Sequence, residues 1–523
     1  MNLNGATIDS VLRRSARAFP AKPAVIDGAR SLTYGQLDEK VDALAHALVK
    51  LGLCKGDRVG VLFDNQWEMC CVYFALARIG ALMVSLNARW LPGEIIYPVS
   101  DAACKAVIYA TRFDSVIADV RPAVNCGIWI SDGDEPAPSA TDCMEGLINR
   151  SADQRLLKAW TVGESDDSGI WYTSGTSGRP KGAVVRHASS VWSAVATALC
   201  LRMDERSRLL AVAPMFHRGA MEDFHLAGFL VGATHVMLPR FDPAAMLEMI
   251  ETHRITHAFI VPTMTWHVLS LPTKDQYDLA SMRAWMTASA PFPDEYRLRL
   301  ERETTLPRNV VFNCYGATES LLNTFLPPEA AASKAGSVGW PVPGTLVHIV
   351  SPSGQAPLPG GDIGEVVTST LTGARTYWGL PDAWDAVTFQ AEDRIWYRTG
   401  DLGYLDEDGC LYIVDRCKDM IISGGENVYS VEVETALLQH PAIAEVAVVG
   451  LPDDRWGETV AALVVAKHPR AICPDDVIRW SRSKLAGYKC PTKVVFADAL
   501  PRNSFGKLQK QKVKAMVCGG LTG

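Results

Sequence analysis

Tyr172-Thr173-Ser174-Gly175-Thr176-Ser177-Gly178-Arg179-Pro180-Lys181-Gly182 is the stretch on which the reading of the fold turns. Its three glycines permit positive φ and close approach of the backbone to a ligand. Four serine and threonine hydroxyls and the exposed amides can ring a polyphosphate, and Lys181 adds a point charge. The stretch follows apolar Gly169-Ile170-Trp171 and precedes apolar Ala183-Val184-Val185. It therefore reads as a tight loop inside a core domain and not as a surface linker. The pattern G-x-x-x-x-G-K-[ST] does not fit, because Lys181 is followed by Gly182. The spacing implies a phosphate loop of another kind.

Outward from this loop, helical and strand patterns alternate. Val41 to Leu51 has the periodicity of an amphipathic helix, Arg58 to Phe63 that of a buried strand, Glu68 to Ile79 a helix and Ala81 to Leu86 a strand. Short apolar strands recur at Arg208–Val212, His235–Leu238 and His257–Val261. Such alternation predicts an α/β chain with a largely parallel sheet. Beyond about residue 335 glycine and proline become dense and strands such as Gly364–Thr368 come close together, which predicts a smaller β-rich subdomain. After Asp415 the expected order is strand, helix (Ser430 to His440), strand (Glu445–Val449), strand (Thr459–Val465), helix (Asp475–Leu485) and strand (Lys493–Phe496). The expected division is a large domain over 1–414 and a small α+β domain over 415–523.

The 523 residues suit more than one domain, and Lys+Arg 51 against Asp+Glu 58 gives a net charge of −7, which argues against non-specific nucleic-acid binding. The 13 cysteines form no C-x-x-C pair and read as reduced thiols of a cytoplasmic protein. Met1 to Gly5 lacks the layout of a signal peptide. The apolar stretch Cys70 to Leu86 is interrupted by Arg78 and is too short for a membrane span, so a buried helix is expected. Gly520 to Gly523 carries no prenylation or peroxisomal signal.

Four further motifs bear on chemistry. In Asn313-Cys314-Tyr315-Gly316-Ala317-Thr318-Glu319 an aromatic can stack on a base, Thr318 can bond a phosphate oxygen and Glu319 can hold magnesium; a plain turn after Val310-Val311-Phe312 is the other reading. In Tyr397-Arg398-Thr399-Gly400-Asp401-Leu402 the aspartate could accept both hydroxyls of a ribose or could serve the turn. Asp415 to Asn427 carries five charges around Ser423-Gly424-Gly425, and Pro501 to Lys510 puts Lys507 on a glycine-containing turn.

Together and in this order, the five motifs resemble the adenylate-forming superfamily of acyl-CoA synthetases, stand-alone adenylation domains and beetle luciferases, from about Leu32-Thr33-Tyr34 to Lys510. Pro214-Met215-Phe216-His217, Val261-Pro262-Thr263-Met264, Gly336-Ser337-Val338-Gly339 and Pro452 to Glu458 support it. The resemblance implies that a carboxylate attacks the α-phosphate of ATP, pyrophosphate leaves, and a thiol then takes the acyl group. It implies that Thr173, Ser174, Gly175, Thr176, Ser177, Gly178 and Lys181 cradle the β,γ-phosphates. Tyr315 and Gly316 would face adenine opposite Ala288-Ser289-Ala290. Thr318 would touch the α-phosphate, Glu319 would ligate Mg2+, and Asp401 with Arg416 would hold the ribose. Lys507 would bridge the two reacting groups. A swing about Asp415 would then bring Ser423, Gly424 and Gly425 to the thiol tunnel. His217 would close the acyl pocket, or it is an ordinary core histidine.

Two departures bear on the acid. Ala288-Ser289-Ala290-Pro291 stands where many relatives read Gly-Gly-Ala-Pro, and Glu222 and Asp223 follow His217. These acids are expected to favour the helix dipole; facing inward, one would pair with an amino group of the substrate. Phe224, Leu226, Phe229 and Leu230 favour an apolar acyl group, so the acid is expected to be fatty, aromatic or alicyclic. The acceptor is expected to be coenzyme A, with Lys484, Lys489 and Lys493 as candidates for its 3′-phosphate; the alternative acceptor is an acyl carrier protein's phosphopantetheine. The family's frequent dimers make a homodimer the expected assembly if the chain associates.

Overall fold

The computed structural model describes residues 5–152, 161–173, 179–351, 354–424, 426–453, 455–468, 472–502 and 508–519. The chain divides into two compact units, Met1–Val347 with Thr368–Tyr397, and His348–Val367 with Arg398–Gly523.

The first unit carries two sheets. Among the described residues one runs in the order Trp340–Pro341, Leu321–Leu326, Val311–Ala317, Ala284–Thr287, His257–Phe259, Arg208–Ala211, Thr234–Met237, Pro23–Asp27 and Arg30–Thr33. Its middle, from Val311–Ala317 to Pro23–Asp27, is parallel. The second runs Thr376–Tyr377, Lys181–Arg186, Asp167–Thr173, Leu82–Ser85, Arg58–Leu62, Ala106–Tyr109, Ile128–Ser131 and Asp142–Cys143. It is parallel from Asp167–Thr173 onward and antiparallel at the other edge. The expected α/β architecture is present. Strands Leu82–Ser85 and Ala106–Tyr109 are buried at every position, as strands covered on both faces must be.

Helix Trp67–Ile79 is buried everywhere except Glu68, and Gly80, at φ 72°, ends it in a left-handed cap. The apolar run is thus a core helix and strand. Arg78 inside it is 7% exposed and meets Asp9, Asp38 and Asp42. No described helix is long and apolar enough to cross a membrane. The helix expected to begin at Val41 begins at Tyr34, because Thr33 and Gln36 form a reciprocal capping box.

Two side chains of the second sheet's strand ends bind the first sheet where the chain leaves it toward His217. Asn65, 3% exposed, donates to the carbonyls of Ala211, Ala213 and Leu238 and accepts from the Met215 amide at 2.8 Å. Ser85 donates to the Phe216 carbonyl at 2.7 Å. The segment 213–217 is thereby fixed between the two sheets.

In the second unit, residues 401–405 pair antiparallel with Leu411–Arg416. A separate sheet orders Glu426–Val428, Ile421–Ser423, Gly457–Ala466 and Ile443–Asp453, with Lys493–Phe496 parallel to Gly457–Ala466. Helices Ser430–Leu438 and Pro474–Arg482 contribute Val433, Leu437 and Val477 to one apolar cluster, and Lys510–Gly519 contributes Val513 and Val517 to another. Asp415, on Leu411–Arg416, lies within this unit and is 2% exposed; its carboxylate accepts from the Ser430 amide and, at 3.0 Å, from the Ser430 hydroxyl.

Asn65→Ala would leave the Ala213 and Leu238 carbonyls and the Met215 amide without their Asn65 partner, while the Ala211 carbonyl keeps the Leu238 amide. We expect a loss of about 2–4 kcal/mol, read as a lower denaturant midpoint at unchanged slope.

Candidate functional site

The strands on either side of the phosphate-loop stretch pair with each other. Asp167–Thr173 pairs antiparallel with Lys181–Arg186, with Thr173 opposite Lys181. Ser174, Gly175, Thr176, Ser177 and Gly178 lie outside the described residues. The Thr173 hydroxyl is 3.5 Å from Glu319 Oε1, and the Tyr377 hydroxyl donates to the same oxygen at 2.8 Å. Lys181 Nζ sits 5.0 Å from the centre of the Tyr377 ring. Burial, with the negative charge of Glu319, raises the Tyr377 hydroxyl's pKa, so Tyr377 remains the donor. Thr173, Lys181 and Glu319 are therefore gathered at one place, from two different sheets.

Glu319 stands on a hairpin. Strand Val311–Ala317 continues through Tyr315, with a bulge between Tyr315 and Gly316, and returns as Leu321–Leu326. The strand thus runs further than the plain-turn reading allows. A Cβ on Gly316 would fall 1.9 Å from the Leu321 carbonyl oxygen, so only glycine fits. Thr318 is half-buried in the turn, and Glu319 is 8% exposed. Among the described residues no cluster of three or more His, Cys, Asp or Glu could hold a metal ion. A single buried carboxylate beside a hydroxyl nevertheless suits magnesium, which takes one or two carboxylates and fills its shell with water and substrate phosphate.

His217 is half-buried, its ring centre 4.6 Å from that of Phe216. It is followed by a π-helix over Gly219–His225, a rare form frequent at functional sites. Glu222 stands in the first turn of that helix, as expected, but Glu222 and Asp223 are both buried and taken up by neighbouring side chains. They are 1% and 5% exposed. Glu222 pairs with Arg218 at 2.7 Å, and Asp223 accepts from the Ser193 hydroxyl. A Cβ on Gly219 would lie 3.7 Å from both Asp223 Oδ2 and Phe259. Phe229 packs in the core against Tyr34, Phe74 and His235.

Ala288, Ser289 and Ala290 follow strand Ala284–Thr287; Ala288 is half-buried, and Ser289 and Ala290 are exposed. Ser289 has φ 76°, the left-handed conformation that the second glycine of Gly-Gly-Ala-Pro would adopt without strain.

In the second unit Asp401 lies directly opposite Arg416, and Arg416 Nε is 3.0 Å from Asp401 Oδ1. Gly400, at φ 70°, precedes Asp401 in the same strand, Arg394–Leu405. Ser423 ends strand Ile421–Ser423. Gly424 has φ 63°, and a Cβ there would meet the Trp456 ring at 2.8 Å. Gly425 and Lys507 lie outside the described residues. Of the candidate lysines, Lys489 pairs with Glu432 at 2.7 Å and Lys484 lies over the Trp480 ring.

A cavity of about 370 Å³ in the first unit is lined by Asn65, Pro214, Phe216, Phe241 and three arginines, Arg89, Arg112 and Arg240. Arg112 and Arg240 share Asp64. Three guanidiniums against one carboxylate leave the cavity cationic. Neither these arginines nor Arg218 and Tyr377 stood out in the sequence. Isolated arginines scattered over 150 residues form no motif, and only the parallel-sheet topology brings them together.

The model of the AMP-binding enzyme family matches residues 12–378, and that of the AMP-binding enzyme C-terminal domain matches residues 432–507. The chain is 35% identical over 507 residues to a long-chain-fatty-acid–CoA ligase, FadD13, of Mycobacterium tuberculosis, covering 96% of each chain. It is 35% identical over 507 residues to a feruloyl-CoA synthase of an Amycolatopsis species, covering 96% of this chain and 97% of the relative. Among solved structures, the anthranilate CoA ligase AuaEII in complex with anthranoyl-AMP matches with a TM-score of 0.89 at 26% identity, covering 100% of this chain and 99% of that one.

Burial pushes the Asp223 carboxyl up to about 7. Its folded pKa thus exceeds the unfolded value of about 4, so the stability that goes with the protonated form is complete below pH ~4 and is lost as pH rises through about 7. Asp223→Asn should remove that loss. Its melting temperature relative to the parent should be higher at pH 8 than at pH 5; an equal difference in the two buffers would contradict the assignment.

Proposed function

The chain belongs to the family of AMP-binding enzymes, and from that premise we propose an ATP-dependent, AMP-forming ligase that joins an apolar carboxylic acid to coenzyme A through an acyl-adenylate. The observation that carries the reading is the convergence of Thr173, Lys181, Tyr377 and Glu319 at the ends of two antiparallel strand pairs. Charge builds on phosphoryl oxygens during in-line displacement, and fixed donors there lower the barrier.

In this reading Thr173 and Lys181, with the loop 174–178, hold the β,γ-phosphates of ATP. Tyr315 and Gly316 take the adenine against Ala288 to Ala290, and the Thr318 hydroxyl bonds the α-phosphate. Glu319 holds Mg2+, which when bound neutralises phosphate charge. Tyr377 donates to Glu319 and fixes the orientation of its carboxylate. Asp401, already oriented by Arg416, accepts from the ribose hydroxyls. Lys507 bridges the substrate carboxylate and the α-phosphate. After pyrophosphate leaves, rotation about Asp415 brings Ser423 to Gly425 to the thiol, with His217 at the border of the acyl pocket.

An apolar acid is supported by the relatives, which act on long-chain fatty acids and ferulate. Phe224 and Phe259, ring centres 6.4 Å apart, stand beside Gly219. Glu222 is committed to Arg218, which removes it as a partner for a substrate amine. For the acceptor, the arginine cavity next to Pro214 and Phe216 suits the phosphates of CoA better than the lysines do, since Lys489 spends its charge on Glu432. Thirteen free thiols suit a reducing compartment, and we place the reaction in the cytoplasm.

The test is pyrophosphate release against a panel of carboxylic acids, each run with and without CoA. An apolar acid that drives pyrophosphate release and consumes CoA one-for-one with AMP formed is the expected result. Pyrophosphate without CoA consumption would transfer the acceptor role to a carrier protein. No release with any acid would overturn the reading. Arg89→Ala should raise the KM for CoA about tenfold and leave the KM for pantetheine, which lacks phosphate, where it was.

A further inference from the structure

Resting on the adenylating function above, we propose that Arg218 is a positioning residue for adenylate formation, acting through the backbone that carries Thr318 and Glu319. The turn of the Val311–Ala317/Leu321–Leu326 hairpin presents three consecutive carbonyls inward, and each has its own donor. Arg218 Nη1 donates to the Thr318 carbonyl at 2.6 Å. The Ala374 amide donates to the Glu319 carbonyl at 2.7 Å. The Thr372 hydroxyl donates to the Ser320 carbonyl at 2.7 Å. Arg218 Nη2 also donates to the Thr372 carbonyl at 2.9 Å, so one guanidinium ties the turn to the segment that caps its other two carbonyls.

The guanidinium is itself over-determined. Arg218 is 2% exposed and its Nε donates to Glu222 at 2.7 Å. Glu222, 1% exposed, is 3.5 Å from the hydroxyl of Tyr73 on helix Trp67–Ile79. A planar fork with donors on three nitrogens can serve a carboxylate and two carbonyls together; an ammonium cannot span them. Arg218 directly follows His217 and opens the π-helix. The acyl side of the site and the turn bearing Thr318 are therefore joined by one buried residue that the motif readings passed over.

The experiment uses the full-length protein with Arg218→Lys, which keeps the charge for Glu222 and loses the fork. Three measurements are made: acid-dependent ATP–pyrophosphate exchange across a magnesium titration, thioester formation from supplied acyl-adenylate and CoA, and amide hydrogen exchange without ligands. We expect the exchange kcat to fall about 10²-fold, the cost of a misplacement of order 1 Å. Half-maximal magnesium should rise, while the KM for the acid stays within about twofold. Amides over 315–322 and 370–376 should exchange faster, and thioester formation should be largely retained. Unchanged exchange kinetics, magnesium dependence and amide protection, with only a lower melting temperature, would reduce Arg218 to a strut and overturn the proposal. If Arg218→Lys does not fold, Glu222→Gln, which keeps an acceptor for Nε, should shift the same readouts in the same direction and by less; no shift would again overturn it. A parent enzyme inactive with every acid would defeat the functional reading instead, and the ligand-free amide exchange would still judge the role of the guanidinium.

Discussion

A tight turn buried in a protein interior has to find donors for its carbonyls, and the turn at Thr318, Glu319 and Ser320 finds three from outside its own hairpin. This constraint explains why residues far apart in sequence are locked together here. The turn cannot shift without uncapping a carbonyl, and a buried uncapped carbonyl costs about 1–3 kcal/mol. Glu319 is held again at its side chain by Tyr377. Backbone and carboxylate are thus restrained independently, which is what electrostatic preorganisation requires.

The same economy governs the buried charges of the first unit. Arg218 meets Glu222, and Arg78 meets three aspartates. Such groups add little net stability over an apolar replacement. Their geometry, however, fixes which elements face one another. Asn65 and Ser85 do comparable work with neutral groups, fastening the segment before His217 to the other sheet. The segment before His217 is therefore held from both sheets.

Much of this was legible in the sequence. Alternating apolar runs gave the parallel sheets, and the apolar strands expected on either side of the phosphate-loop stretch are present and pair antiparallel. Lys493–Phe496 was placed to the residue. Thr173, Lys181 and Glu319 were named from local pattern and are brought together. What could not be read were partners set by topology. Glu222 is the first-turn acid it looked like, but its buried partner, Arg218, is recognisable as such only once the π-helix and the Thr318 turn are in place. Phe229 looked like an acyl-pocket residue and is core, because helical periodicity marks an apolar face without saying what covers it.

Three small-residue positions separate folding constraint from chemistry. Gly316 is required by the Leu321 carbonyl, whatever ligand lies beyond it. Gly424 is required twice, by its positive φ and by Trp456 at 2.8 Å from any added Cβ. Loss of thioester formation on substituting Gly424 would therefore not by itself report passage of a pantetheine arm. Ser289 is the reverse case. It holds a left-handed φ of 76° that glycine would adopt freely, and it is exposed. Nothing in its packing demands a hydroxymethyl group there, while the strain of a non-glycine residue in that region is of order 1 kcal/mol. Ser289 thus carries a strained backbone that its exposed position does not demand, in contrast to the two glycines, whose surroundings exclude a Cβ.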